Sequence, residues 1–324
     1  MKRPLLEVKD LKKHFPLSGG MLQGAKNYVK AVDGIDLEIF EGETFSLVGE
    51  SGCGKSTLGR TIIRLMEPTE GEIKFGGQAI NSLTKKQLLP FRKDMQLIFQ
   101  DPYASLNPRK RIGETLREPF QIHQLYSTRE QKEKIYELLR HVGLNEDAYT
   151  RFPHEFSGGQ RQRIVIARAL ALSPKFIVCD EAVSALDVSI QSQIINLLKK
   201  LQNEYNITYL FISHNLNVVK YISDRVAVMY LGKIVESAPK GELFKNPLHP
   251  YTQALISAIP LPNPEKERSR ERIILEGDVP SPVNPPKGCR FHTRCPMVKP
   301  VCKEVEPTMI EMENSHKIAC HLYN

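Results

Sequence analysis

The stretch "GESGCGKSTL", residues 49–58, decides the fold. Gly49, four further residues, then Gly54, Lys55 and Ser56 give the spacing of a phosphate loop, in which successive backbone N–H groups converge on phosphate oxygens. A plain glycine turn has no need of the lysine. The preceding "ETFSLVG" (43–49) is short, apolar, aromatic and β-branched, and predicts a buried strand. The following "STLGRTIIRLM" (56–66) places Leu58, Ile62, Ile63 and Leu65 at a spacing that predicts a helix. Strand, loop and helix thus come in the order the motif requires. The helix N-terminus adds the positive end of its dipole, Lys55 reaches toward the terminal phosphates, and the Ser56 hydroxyl is a magnesium ligand. Gly49, Glu50, Ser51, Gly52, Cys53, Gly54, Lys55, Ser56 and Thr57 are therefore the candidate nucleotide-binding residues.

At 324 residues, with 25% charged and 41% hydrophobic positions, the chain has the composition of a soluble globular protein of one large domain with an appendage, or of two domains. No apolar run approaches the roughly 18 residues of a membrane span, and "MKRPLLEVKDLKKHF" lacks the apolar block of a signal peptide, so a cytosolic location is expected. The 45 Lys plus Arg against 37 Asp plus Glu leave a net charge of +8, compatible with nucleic acid or an anionic membrane face. The basic residues are scattered, apart from small groups such as "PRKR" (108–111), and no nucleic-acid recognition motif accompanies them. Solvated surface is the reading for most of them.

Residues 5–48 are strand-rich, with "LLEVKDLKKHF" and "AVDGIDLEIF" alternating around a glycine-bearing insertion, "PLSGGMLQGAK". From about 160 to 240, "RIVIARALAL" suits a helix, "KFIVCD" a buried strand, "IQSQIINLLKKLQNEY" a second helix and "ITYLFISH" another buried strand. That alternation predicts a parallel α/β core. Between these halves "REQKEKIYELLRHVGL" has helical periodicity, so residues 101 to about 158 read as an inserted helical subdomain. Seven prolines between Pro260 and Pro286, interleaved with "EKERSRER", read as a linker before a separate tail.

In "FIVCDE" four apolar residues carry Asp180 to the exposed end of a buried strand, where it is a second magnesium ligand. Glu181 follows, placed to orient or deprotonate an attacking water. "FSGGQRQR" (156–163) offers a second phosphate-ready turn opening a helix. Here the chain resembles the ATP-binding cassette family, whose signature is Leu-Ser-Gly-Gly-Gln; Ser157, Gly158, Gly159 and Gln160 match it and Phe156 replaces the leucine. The resemblance implies head-to-tail pairing of two subunits, the signature of one closing over ATP held by the phosphate loop of the other.

The other motifs of that family follow. Gln100 in "LIFQDP" stands at the glutamine that senses magnesium and couples to the transmembrane partner. "SALD" (184–187), ending in Asp187, matches the D-loop, and His214, 33 residues after Glu181, matches the histidine that contacts the γ-phosphate. An aromatic ring on adenine is expected upstream of the loop; Phe15 is preferred and Tyr28 is the alternative. The resemblance covers roughly residues 5–240. It implies an α/β P-loop NTPase (RecA-like) core with an N-terminal antiparallel β subdomain, the helical subdomain, and a small C-terminal cysteine-ligated extension, with domains at 1–260 and 261–324.

"DPYASLNPR", "PHEFSGGQRQR", "CDEAVSALDVSIQ" and "NPLHPYTQAL" narrow the resemblance to ATPase subunits of dipeptide and oligopeptide permeases, and the insertion before "VKAVDG" resembles their F-type subunit. That implies ATP-driven peptide import with ATP and magnesium, a D-type ATPase as partner (a second copy of this chain being the alternative in isolation), two transmembrane permease subunits, an extracytoplasmic peptide-binding protein, and a place at the cytoplasmic face of the membrane. Nickel-complex uptake is an alternative cargo. A soluble cassette ATPase acting on nucleic acid is an alternative class, but such relatives usually carry two cassettes or a long coiled-coil insertion, and neither is present.

Cys53 and Cys179 lie in the loop and a strand and read as packing residues, whereas Cys289, Cys295, Cys302 and Cys320 crowd the last 36 residues as C-x5-C-x6-C-x17-C. In a reducing compartment that spacing favours a metal site over disulfides. Tight C-x2-C pairs typical of zinc ribbons are absent, and a four-thiolate cluster suits wider loops. Cluster, zinc and unliganded thiols all stay open; the permease resemblance implies a 4Fe-4S cluster, with His292, His316 and His321 read as surface histidines.

Overall fold

Thr44–Val48, the strand entering the phosphate loop, is buried at all five positions, as its mostly apolar and β-branched composition favours, with the Ser46 hydroxyl bonded to that of Ser223. The computed structural model describes residues 3–17, 27–260 and 272–323; most of the insertion read at 16–26 and most of the "EKERSRER" run lie outside them. In chain order the strands are β1 (Pro4–Pro16), β2 (Tyr28–Phe40), β3 (Thr44–Val48), β4 (Glu70–Phe75), β5 (Gln78–Ala79) and β6 (Met95–Ile98). They continue with β7 (Phe176–Asp180), β8 (Thr208–Ile212), β9 (Arg225–Tyr230), β10 (Lys233–Pro239), β11 (Ile310–Glu311) and β12 (Lys317–Ile318). The chain divides into two compact units.

One unit holds Pro4–Ile39, Thr44–Asn81 and Ser213–Asn324. Its first sheet, ordered β2-β1-β4-β5, buries Leu6, Val8 and Leu11 of β1 and pairs β1 with β4 and β4 with β5 antiparallel. In the same unit β3 runs parallel to β9, β9 antiparallel to β10, and β10 antiparallel to β12. The tail therefore adds strands to the sheet that carries the phosphate loop. Phe291, fully buried, explains its grip: the ring lies 5.2 Å from Tyr230, 5.3 Å from Tyr251 and 5.5 Å from His249, centroid to centroid. Burying one such ring is worth about 1.5–3 kcal/mol. The tail that reads as a separate piece in sequence thus shares a core with the loop it follows by more than 200 residues.

The other unit is built on Phe40–Glu43 and Ser82–Ile212. Its strands β6, β7 and β8 are parallel, in register from Met95↔Phe176 and Phe176↔Thr208, and β7 and β8 are buried throughout. The helix Thr128–His141 forms where the periodicity predicts it, because Ser127 and Glu130 make a reciprocal capping box and Ile135 and Leu139 are buried. The helix Val188–Tyr205 buries Ile194, Leu198 and Leu201 and stops at Asn206, whose φ of 51° is a left-handed cap. Among the described residues no helix is long and apolar enough to cross a membrane.

Candidate active site

The loop after β3 can be made only with glycine at its two ends. Gly49 has φ +150°, and a Cβ there would stand 2.1 Å from the Met229 carbonyl oxygen; Gly54 has φ +106°, and its Cβ would stand 1.9 Å from that of Ala31. Gly54 accepts the first helical bond, from Leu58 N–H at 2.9 Å, so the helix Lys55–Ile62 starts at the loop. Lys55 is buried, and its Nζ donates to the carbonyls of Gly49 (2.8 Å) and Glu50 (2.9 Å), which holds the ammonium against the loop. Ser51 and Gly52 form the exposed tip, and Ser56 and Thr57 are half-buried on the first helical turn. Burial pushes the Cys53 thiol up, in keeping with a packing role.

Residue 50 is gripped by partners the sequence did not disclose. Its amide donates to the Tyr251 hydroxyl at 2.9 Å, and its carboxylate accepts two bonds from Arg294, at 2.8 and 3.2 Å. In the same unit His214 is exposed just before the helix Leu216–Ile222, which Asn215 caps by accepting from Asn217 and Val218 N–H. Of the two adenine candidates, Phe15 on β1 is half-buried with the Lys13 ammonium 4.9 Å over its ring, and Tyr28 opens β2 and is 44% exposed.

In the other unit Asp180 is the last residue of β7 and is 1% exposed. Glu181 follows with φ 50°, an uncommon conformation for a non-glycine residue that costs on the order of 1–3 kcal/mol. It is held there by its own amide on the Ile212 carbonyl (3.0 Å) and by Ser184, whose amide (3.1 Å) and hydroxyl (3.0 Å) both donate to the Glu181 carbonyl. Its carboxylate accepts from Gln100 Nε2 at 2.9 Å, and that amide also lies 3.5 Å from Ser184 Oγ. Gln100 and Glu181, 81 positions apart in sequence, are thus brought into contact, with Asp180 adjacent at the strand end.

The signature turn opens the helix Gly158–Leu170 as a capping box: Ser157 Oγ accepts from Gln160 N–H (3.3 Å) and Gln160 Oε1 from Ser157 N–H (3.0 Å). Gly159 is required by packing, since a Cβ would fall 2.6 Å from Ile190 Cγ2. Phe156, in the place of leucine, is buried and lies under the Arg151 guanidinium at 4.4 Å. Asp187 is exposed at the start of the helix Val188–Tyr205 and makes no side-chain cap there.

The cysteine-ligated extension is not supported. Among the described residues no three His, Cys, Asp or Glu side chains are grouped to hold a metal ion, and all six cysteines are free thiols. The sulfur of Cys302 accepts the Lys299 N–H at 3.4 Å and caps a short turn instead. The Cys289 thiol is pushed up to about 11, by burial first and then by the neighbouring Cys302, Cys320 and Cys295, and burial likewise raises Cys295 and Cys320. The histidines are engaged elsewhere: His292 with the Cys289 carbonyl (2.8 Å), His321 with that of Val305 (2.8 Å), and His316 with Glu236 (2.6 Å). His316, read as a surface residue, is 2% exposed.

A phosphate loop after a buried strand, an acidic strand end and a Ser-Gly-Gly-Gln helix start define a cassette-type ATPase. The family model described as ABC transporter matches residues 32–184, and that of the oligopeptide/dipeptide transporter C-terminal region matches residues 235–302. The oligopeptide transport ATP-binding protein AppF of Bacillus subtilis is 58% identical over 99% of this chain and 98% of its own. OppF of Escherichia coli is 50% identical over 98% and 96%. The dimeric ATP-binding cassette MJ0796, in a post-hydrolysis state with ADP and Pi, is 30% identical with a TM-score of 0.64, covering 72% of this chain and 98% of its own. The chain belongs to the oligopeptide transport ATP-binding proteins of the ATP-binding cassette family, and it is an ATPase coupled to transport.

Proposed function

We propose that this chain is one of two ATPase subunits of a peptide importer, paired with a D-type ATPase and acting at the cytoplasmic face of the membrane on two transmembrane permease subunits served by an extracytoplasmic peptide-binding protein. The observation that carries this reading is the bond from Gln100 to Glu181, because it joins the residue that would report on the permease to the residue that would activate water. The names of the relatives at 46–58% identity, oligopeptide and di/tripeptide transport ATP-binding proteins, favour peptide as the cargo.

In this reading the loop amides and Lys55 hold the ATP phosphates, Phe15 or Tyr28 stacks on adenine, and His214 meets the γ-phosphate. Glu181 orients the water and accepts its proton, a general-base contribution of about 10²–10⁴-fold. Ser157, Gly158, Gly159, Gln160 and Asp187 serve the nucleotide of the partner subunit. Ser56 in one unit and Gln100 and Asp180 in the other each offer the oxygen donor a hard cation prefers, and the family resemblance assigns them to magnesium, which would neutralise phosphate charge when bound. Glu181→Gln is expected to keep ATP binding and lose nearly all turnover in the assembled transporter; unchanged turnover would remove Glu181 from this role.

The finer reading of the tail is a 4Fe-4S cluster on Cys289, Cys295, Cys302 and Cys320. Its support is the family resemblance together with the C-x5-C-x6-C-x17-C spacing. Iron and sulfide analysis of protein purified anaerobically from iron-replete cells decides it, and colourless, iron-free protein would set it aside.

A further inference from the structure

The phosphate loop contains one acid, Glu50, in a place meant for a polyanion. A carboxylate among phosphate-binding amides works against its own site: it repels the triphosphate and competes for the same donors. The structure shows how this conflict is met. Arg294, whose side chain is 9% exposed, reaches Glu50 with both terminal nitrogens, at 2.8 and 3.2 Å, the paired geometry that matches a carboxylate best. Arg294 is carried by the turn between Cys289 and Cys295, which Phe291 anchors beneath Tyr230 and Tyr251. Beside it, buried Arg290 pairs with Asp33 and donates to the Leu231 carbonyl, fastening the turn to β2 and to the β9–β10 hairpin.

The same residue 50 is fixed through its main chain. Its amide is taken by Tyr251 and its carbonyl by Lys55, so a shift of the Glu50 side chain moves the carbonyl on which the phosphate-binding ammonium rests. The tail thus touches the nucleotide loop at the one residue whose charge opposes the ligand.

We propose that Arg294 is a positioning residue of the phosphate loop: by pairing with Glu50 it cancels the loop's own negative charge and so sets the affinity for ATP from the cysteine-bearing tail. This rests on the loop's being the nucleotide site, and the wild-type chain's binding of ATP tests that separately. Arg294 acts on the loop through Glu50. A tail that only fastened the fold would need no partner inside the loop.

The test is equilibrium titration of the full-length chain with a hydrolysis-resistant ATP analogue and magnesium, with thermal unfolding recorded without nucleotide. Arg294→Ala weakens binding about tenfold, the scale of one uncancelled charge at short range in a partly wet loop. Arg294→Lys falls between, since a single ammonium cannot reproduce both bonds. The decisive variant is the double substitution Arg294→Ala with Glu50→Gln: removing the acid restores most of the lost affinity, although it restores nothing of the fastening. Should Arg294→Ala fail to fold, Arg294→Gln keeps most of the volume and carries the same comparison. Wild-type affinity in a folded Arg294 variant, or a double variant no better than the single one, would overturn the proposal. Wild-type chain that does not bind the analogue at all would instead strike at the loop itself.

Discussion

Glu181 accepts a hydrogen bond from the Gln100 side-chain amide at 2.9 Å while its own backbone sits at a φ of 50°. The carboxylate is therefore aimed from two sides, by the strained turn that Ser184 closes and by a glutamine at the far end of β6. A shift of Gln100 has to be felt by Glu181.

Replacing Gln100 by Ala removes that donor and leaves the loop untouched. Turnover of the assembled transporter is expected to fall about tenfold, the loss of one aligned hydrogen bond to a charged group. Gln100→Glu removes the donor and sets a like charge beside Glu181, so turnover is expected to fall further than in Gln100→Ala. Steady-state ATPase assays check both, and wild-type turnover in either variant would deny the contact a role.

Gly54 cannot accept a side chain. With φ at +106° and the Ala31 carbonyl oxygen 1.9 Å from a would-be Cβ, Gly54→Ala must push the loop off β2. The expected outcome is loss of ATP binding, and a drop in unfolding free energy of at least about 1–3 kcal/mol from backbone strain alone. Nucleotide titration and denaturant unfolding measure the two.

His249 gives the fold an acid-sensitive point. Burial lowers its titration to about 4, against the opposing pull of Glu236, so the ring is neutral in the native state and more readily protonated when unfolded. The unfolded chain therefore binds the extra proton between about pH 6.5 and 4, and stability present above that window is lost as pH falls through it. The loss is at most about 3 kcal/mol at 1.36 kcal/mol per pH unit. His249 Nδ1 accepts the Tyr251 N–H at 3.0 Å, a cap that asparagine can reproduce without titrating. His249→Asn should flatten the slope of unfolding free energy against pH in that window.

How much of this was legible in the chain depended on distance along it. The phosphate loop, the Asp180–Glu181 strand end and the Ser157–Gln160 turn are short-range patterns, and the strands and helices flanking them form where hydrophobic period and capping residues place them. The partners of Glu50 lie 201 and 244 positions away, at Tyr251 and Arg294, and neither carries a local motif. The left-handed backbone of Glu181 was illegible for another reason: nothing in a glutamate announces φ above zero, and only the turn through Ser184 imposes it. The cysteine spacing promised a ligand set, yet the sequence could not say that Cys302 would spend its sulfur on the Lys299 amide, or that Glu236 would draw His316 inside.

The central claim is that two half-sites, a loop on one subunit and a signature on another, must meet around ATP before turnover. Sedimentation of the Glu181→Gln chain with its partner ATPase, with and without ATP, tests it most directly. The account predicts a stable two-subunit species that forms with ATP and dissociates without it. A wild-type chain that stays monomeric at every nucleotide concentration and still hydrolyses ATP at the full rate of the assembled transporter would contradict it.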